Sequence, residues 1–261
     1  MAYVSNVLTH WVGRGKPCDE QYNILTQLIL RRKELLFDSC PWNFCSKYGG
    51  VTNYQVPMIS FADIPFSESA KHCCKYSRFG LSFEKHYLAN CLTSPVGYVQ
   101  HPFIHMNYSY IFHRLQGMKD VLKGTEIPNG KAKGEKFDAE QLLVRFQYMM
   151  GFLENHSRDE FRYNESAAEP LPGQEGFFQD PSSLYYEREW RMVLSSTPAN
   201  LPWLQTRDGK TYFRFDERYL KWVIVPKGYL PHLQGEWASI FSDYRLGNIP
   251  SVVAYEDMEY F

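Results

Sequence analysis

The strongest local signal for chemistry is the stretch Tyr185-Tyr186-Glu187-Arg188-Glu189-Trp190-Arg191-Met192-Val193. On a strand, side chains alternate, so Glu187, Glu189 and Arg191 share one face and Tyr186, Arg188, Trp190 and Met192 the other. Two carboxylates and a guanidinium are expensive to bury together. They suit either a cleft or an exposed strand face laced with ion pairs.

Other candidates lie far away in sequence. His10 sits in an apolar run, Val7-Leu8-Thr9-His10-Trp11-Val12, and reads as a satisfied core histidine or as a ligand-facing one. Arg14 follows in a glycine-flanked turn, where a guanidinium can reach a phosphate. Ser60 interrupts the buried run Met58 to Ala62; it either bonds the backbone or supports a catalytic neighbour. Tyr76 belongs to an aromatic and basic turn, Lys75 to Phe83, and Tyr98 follows Gly97 in a short strand candidate. Either ring could stack on a planar ligand.

Metal and phosphate motifs are weak. The six cysteines contain no Cys-x-x-Cys pair, and Cys40 and Cys45 have no second pair to complete a zinc site. His101 and His105 have ligand spacing, but Pro102 places His101 at a helix cap, off the helical face. The run Gly124 to Lys131 resembles a phosphate loop with its second glycine one residue late and Ala132 where Ser or Thr should stand. No metal is expected.

The elements that would hold these residues read as α+β. Strand candidates are residues 3–12, 57–62, 79–83, 96–99, 185–194, 211–215, 222–225 and 252–255. Helical spacing of Leu25, Leu28, Ile29, Arg32 and Leu36 predicts a helix after Asp19, its expected cap. A loop is expected through Pro41 and Gly49-Gly50. Shorter helices are expected at 67–76 and 84–90, and a longer one at 228–244. Residues 102–156 read as a helical insertion and 157–183 as a long Pro-rich loop. Strands at both ends around a helical middle give one α+β domain over 1–261, not a regular βαβ array.

Composition closes off other classes. With 261 residues, 44% hydrophobic and 22% charged, the chain is an ordinary globular protein with enough length for a core. No apolar run of about 18 residues exists, so no membrane span is expected. Absence of an evident signal peptide makes the cytoplasm the expected compartment, with the cysteines as free thiols. A formal net charge of −1 argues against bulk electrostatic binding to nucleic acid, although a lysine-bearing stretch at 119–136, near Tyr108, Tyr110 and Phe112, could carry a strand. The plainer reading of that stretch, a solvated face, is the favoured one.

Together these segments resemble the AbiGi family of abortive-infection phage-resistance proteins. The resemblance lies in Val4 to Trp11, Ile59 to Pro65, His72 with Lys75-Tyr76 and Phe79 to Phe83, Pro95 to Tyr98, and Glu187 to Arg191. That family carries an antitoxin label. The layout is also similar to a divergent ADP-ribosyltransferase, whose split β-sheet surrounds an NAD cleft. That similarity implies His10 at the first position, Ser60 or Tyr76 at the second and Glu189 at the catalytic third. In that similarity Glu189 would hold a ribose hydroxyl and stabilise the positive charge that develops as the nicotinamide–ribose bond breaks, and Glu187 would orient or deprotonate the acceptor nucleophile. His10 would hold the adenosine ribose, Arg14 the pyrophosphate, and Tyr76 or Tyr98 the nicotinamide. The expectation is then an NAD-consuming toxin of phage defence, restrained by a cognate antitoxin or regulator, with a macromolecular acceptor, nucleic acid favoured over protein. The alternative is a catalytically inactive, antitoxin-like protein that keeps the fold and regulates a partner toxin.

Overall fold

Leu81 and Phe83 alternate with Gly80 and Ser82, and all four are buried. They lie on a strand covered on both faces, at the middle of the molecule. The computed structural model describes residues 5–46, 50–69, 76–99, 111, 114, 117–118, 153–155, 188–194 and 201–260.

In chain order the strands are β1 (Val7–Trp11), β2 (Glu34–Leu36), β3 (Asp38–Ser46), β4 (Gly50–Ala62), β5 (Gly80–Glu84), β6 (Thr93–Pro95), β7 (Gly97–Val99) and β8 (Leu153–Asn155). They continue with β9 (Glu189–Val193), β10 (Leu204–Arg207), β11 (Lys210–Arg214), β12 (Leu220–Val225) and β13 (Ser251–Ala254). The α-helices are α1 (Cys18–Asn23), α2 (Lys85–Asn90) and α3 (Leu230–Ile240). Ile24–Leu30 continues α1 as a π-helix, in which the Arg31 N–H donates to the Thr26 carbonyl.

An eight-stranded sheet runs in the order β13-β12-β5-β1-β4-β9-β6, with β3 paired to the first part of β4. Every pairing is antiparallel except β12 with β13. The chain is therefore α+β with a mixed sheet. A second sheet joins β10, β11 and β2, and β7 pairs with β8 in parallel.

One face of the large sheet presents Leu8, Phe61, Leu81, Phe83 and Val223 to the main core. Leu25, Ile29 and Leu30 of the π-helix and Leu233 and Ile240 of α3 belong to the same cluster. The opposite face carries a smaller cluster of Phe66, Ile224, Val253 and Met258. On that face the Thr9 and Ser82 hydroxyls lie 2.8 Å apart and bond across the β1–β5 pair. Gly80 is required there, since a Cβ would stand 2.8 Å from the Trp11 ring.

Several expectations are corrected. The helix expected to reach Leu36 ends earlier. Lys33 takes a left-handed backbone (φ 57°), and Glu34–Leu36 is a strand whose buried Leu35 pairs with Phe213. Asp19 is not the cap: Pro17 holds that place, and Asp19 accepts a hydrogen bond from the Tyr229 hydroxyl. The loop expected through Pro41 and Gly50 is largely the long β3–β4 hairpin. Leu153–Asn155, expected to end a helix, is strand β8. The rest of 102–156, apart from residues 111, 114, 117 and 118, and all of 157–183 lie outside the described residues. Among the described residues, no helix is long and apolar enough to cross a membrane, and no group of His, Cys, Asp and Glu could hold a metal.

Candidate functional site

The middle of β4 and the start of β9 bring the carboxylate chemistry together. Pairing sets Ala62 opposite Glu189 and Ser60 opposite Arg191. Ser60, Glu189 and Arg191 therefore share a face, as alternation along β9 requires for the last two. The Ser60 hydroxyl donates to Glu189 Oε1 at 2.6 Å. Arg191 donates to the same carboxylate twice, Nε to Oε1 at 2.8 Å and Nη2 to Oε2 at 2.7 Å. The Arg191 side chain is 3% exposed and that of Glu189 14%.

This geometry determines what Glu189 can do. A carboxylate offers about four lone-pair sites, and three hydrogen bonds already occupy it. A bidentate guanidinium also neutralises its charge. Such a group ties β4 to β9. A ribose hydroxyl or a developing cation would have to compete with an intramolecular partner buried beside it.

His10 lies on the other side of the sheet. Thr9 pairs with Ala62, which pairs with Glu189, so Thr9 shares the Glu189 face and His10 the opposite one. His10 pairs with Leu81 and its ring sits 5.8 Å from that of Phe61. Its link to the carboxylate group runs through the backbone: Nδ1 is 2.9 Å from the Ser60 carbonyl. A carbonyl only accepts, so Nδ1 carries the proton of the neutral imidazole.

Burial lowers the His10 pKa below its ordinary 6.5, against the weaker upward pull of the Ser60 carbonyl. As pH falls below about 6.5, the unfolded chain takes up a proton that the folded chain resists. The stability His10 contributes is thus full above that pH and is lost as pH falls through the lower folded value. Thermal unfolding between about pH 7 and pH 5 should fall more steeply for wild type than for His10→Asn. Parallel slopes would refute the assignment.

The remaining expected residues form a separate group or lie elsewhere. The Arg14 guanidinium stands 4.9 Å over the Tyr76 ring. Tyr98 is on β7, with its side chain outside the described residues, as is all of Glu187.

Asp63, which directly follows the last residue of β4, is a site residue that the sequence analysis did not single out. Its buried carboxylate accepts from Lys85 Nζ at 2.6 Å and from Arg188 Nη2 at 3.2 Å. Its N–H donates to the Arg188 carbonyl, and Lys85 Nζ lies 4.8 Å over the Trp190 ring. Arg188, expected within the strand, precedes it with φ 40°. The sequence signal was an aspartate directly after a buried run, beside Ile64-Pro65. The cluster fixes where β9 begins and so where Glu189 sits.

A family model described as abortive phage resistance protein AbiGi, antitoxin, matches residues 38–220, more than half of the chain. The matched range includes Ser60, Asp63, Tyr76, Glu189 and Arg191, and excludes His10 and Arg14. No curated protein and no solved structure matches the chain. The antitoxin description overturns the expectation that the chain is an ADP-ribosyltransferase toxin and favours the alternative of an antitoxin-like regulator. The extent of that match places the chain in the AbiGi family of abortive phage resistance proteins.

Proposed function

We propose that the chain acts in abortive phage resistance as an antitoxin-like protein that binds a partner toxin and holds it inactive. The family match over residues 38–220 carries this reading. The Glu189 carboxylate, held by Ser60 and Arg191, supports it, because the residue expected to perform chemistry is engaged in joining two strands. In this reading the chain keeps an ADP-ribosyltransferase-like arrangement of strands as a binding scaffold.

The test is growth. A tagged chain is purified from its host with its bound partner, and the partner is then expressed from an inducible promoter with and without the chain. The chain alone should leave growth unchanged; the partner alone should arrest it; the two together should restore it. Arrest by the chain on its own would reverse the assignment.

A further inference from the structure

We propose that the partner protein docks in a cleft between β11, the turn that follows it and the loop after α3, inserting an acidic segment that also carries an apolar side chain. This rests on the antitoxin reading above. The cleft encloses about 490 Å³ and contains none of His10, Ser60 or Glu189. Its walls carry Lys33, Arg214, Arg218 and Arg245 against Asp216 and Glu217.

The inner charges are already matched. Lys33 Nζ lies 3.3 Å from Glu217 and donates to the Asp243 carbonyl at 2.7 Å. Arg218 donates from Nε to both Asp216 oxygens, at 3.0 and 2.9 Å. The Arg218 hydrogen bonds hold the Asp216 carboxyl below its ordinary range, and the more distant Arg245 adds to that.

Arg214 and Arg245 are left over. Both are exposed, and neither has a carboxylate within ion-pair distance among the described residues. Arg214 Nη1 donates to a neutral acceptor, the Gln205 side-chain oxygen, when that amide is turned so that its nitrogen donates to Glu34. With four cationic side chains against two carboxylates, the cleft walls carry a net positive charge that attracts and orients an anionic partner. Beside Arg245, Leu246 is 95% exposed and is followed by Gly247 at φ 95°, on a turn that projects the side chain away from the core. Arginine is enriched where proteins bind one another, and Leu246, next to Arg245 in the chain, adds exposed apolar surface beside it. A bare phosphate would make no use of Leu246.

Fluorescence anisotropy tests this with a fluorescein-labelled peptide, Glu-Asp-Leu-Glu-Asp-Phe-Glu-Asp, beside a counterpart in which every acid is Lys. Wild type should bind the acidic peptide and not the basic one. Arg214→Glu with Arg245→Glu should weaken binding at least about tenfold. Leu246→Asp should also weaken it. Lys210→Glu, an exposed reversal outside the cleft, should change it less than about twofold. Equal binding of the basic peptide, unchanged affinity in the double reversal, or tighter binding of ATP at the same arginines would overturn the proposal. The growth assay separates the two levels of inference. If wild type relieves arrest and the double reversal relieves it equally, the cleft assignment fails and the antitoxin reading stands. If wild type gives no relief, the antitoxin reading itself fails.

Discussion

Arg191→Met is expected to destabilise the fold by about 3–5 kcal/mol, the range for breaking one side of a buried ion pair. The guanidinium is almost wholly enclosed and makes two hydrogen bonds to Glu189. Its removal leaves a largely buried carboxylate with the Ser60 hydroxyl as its remaining partner within the trio. The paired change Arg191→Met with Glu189→Leu removes both charges, and Ser60, which is exposed, can turn to water. The double variant should therefore recover most of the loss, since apolar replacement of a whole buried pair is often neutral or better. Urea unfolding followed by circular dichroism measures both. A single-variant loss below about 1 kcal/mol would mean that the pair behaves like a solvated surface contact.

Phe83→Ala should cost a similar amount, about 3–5 kcal/mol. Phe83 is fully buried on the central β5, between two ring contacts: Phe61 at 6.3 Å and 86°, and Phe215 at 5.1 Å and 67°. Alanine removes the buried ring area and both edge-to-face contacts, each worth about 0.5–1.5 kcal/mol. Phe83→Leu keeps most of the apolar volume and should cost clearly less. The comparison of melting temperatures is decisive: equal losses for Ala and Leu would show that ring geometry, not cavity volume, sets the cost.

The strands with compact apolar runs were legible in the sequence. Residues 80–84, 220–225 and 251–254 lie within a residue or two of the expected positions, because each carries a short apolar run that the core takes up. The β3–β4 hairpin was not legible. Pro41 and Gly49-Gly50 read locally as breaks, and only pairing over a full nine-residue register turns that segment into a ladder. Leu36 failed for a related reason: its spacing from Leu25, Leu28 and Ile29 is helical, whereas its partner, Tyr212, lies far along the chain. At the candidate site, alternation alone gave Glu189 and Arg191 a common face. The position of His10 on the opposite face depends on the single register Thr9 to Ala62, which no local pattern contains.

The strand order also constrains how the protein is born. The β5-β1-β4 centre of the sheet is complete by residue 84, yet the neighbours that cover its two sides, β9 and β12, begin at residues 189 and 220. During synthesis the ribosome must deliver more than a hundred further residues while two rows of backbone N–H and C=O groups stand bare. Closure of such distant pairings is slow, and the waiting edges are sites for pairing with another nascent chain. Soluble yield is therefore expected to depend on the pace of translation and on chaperone cover through the middle of the message, as well as on the final strength of the core.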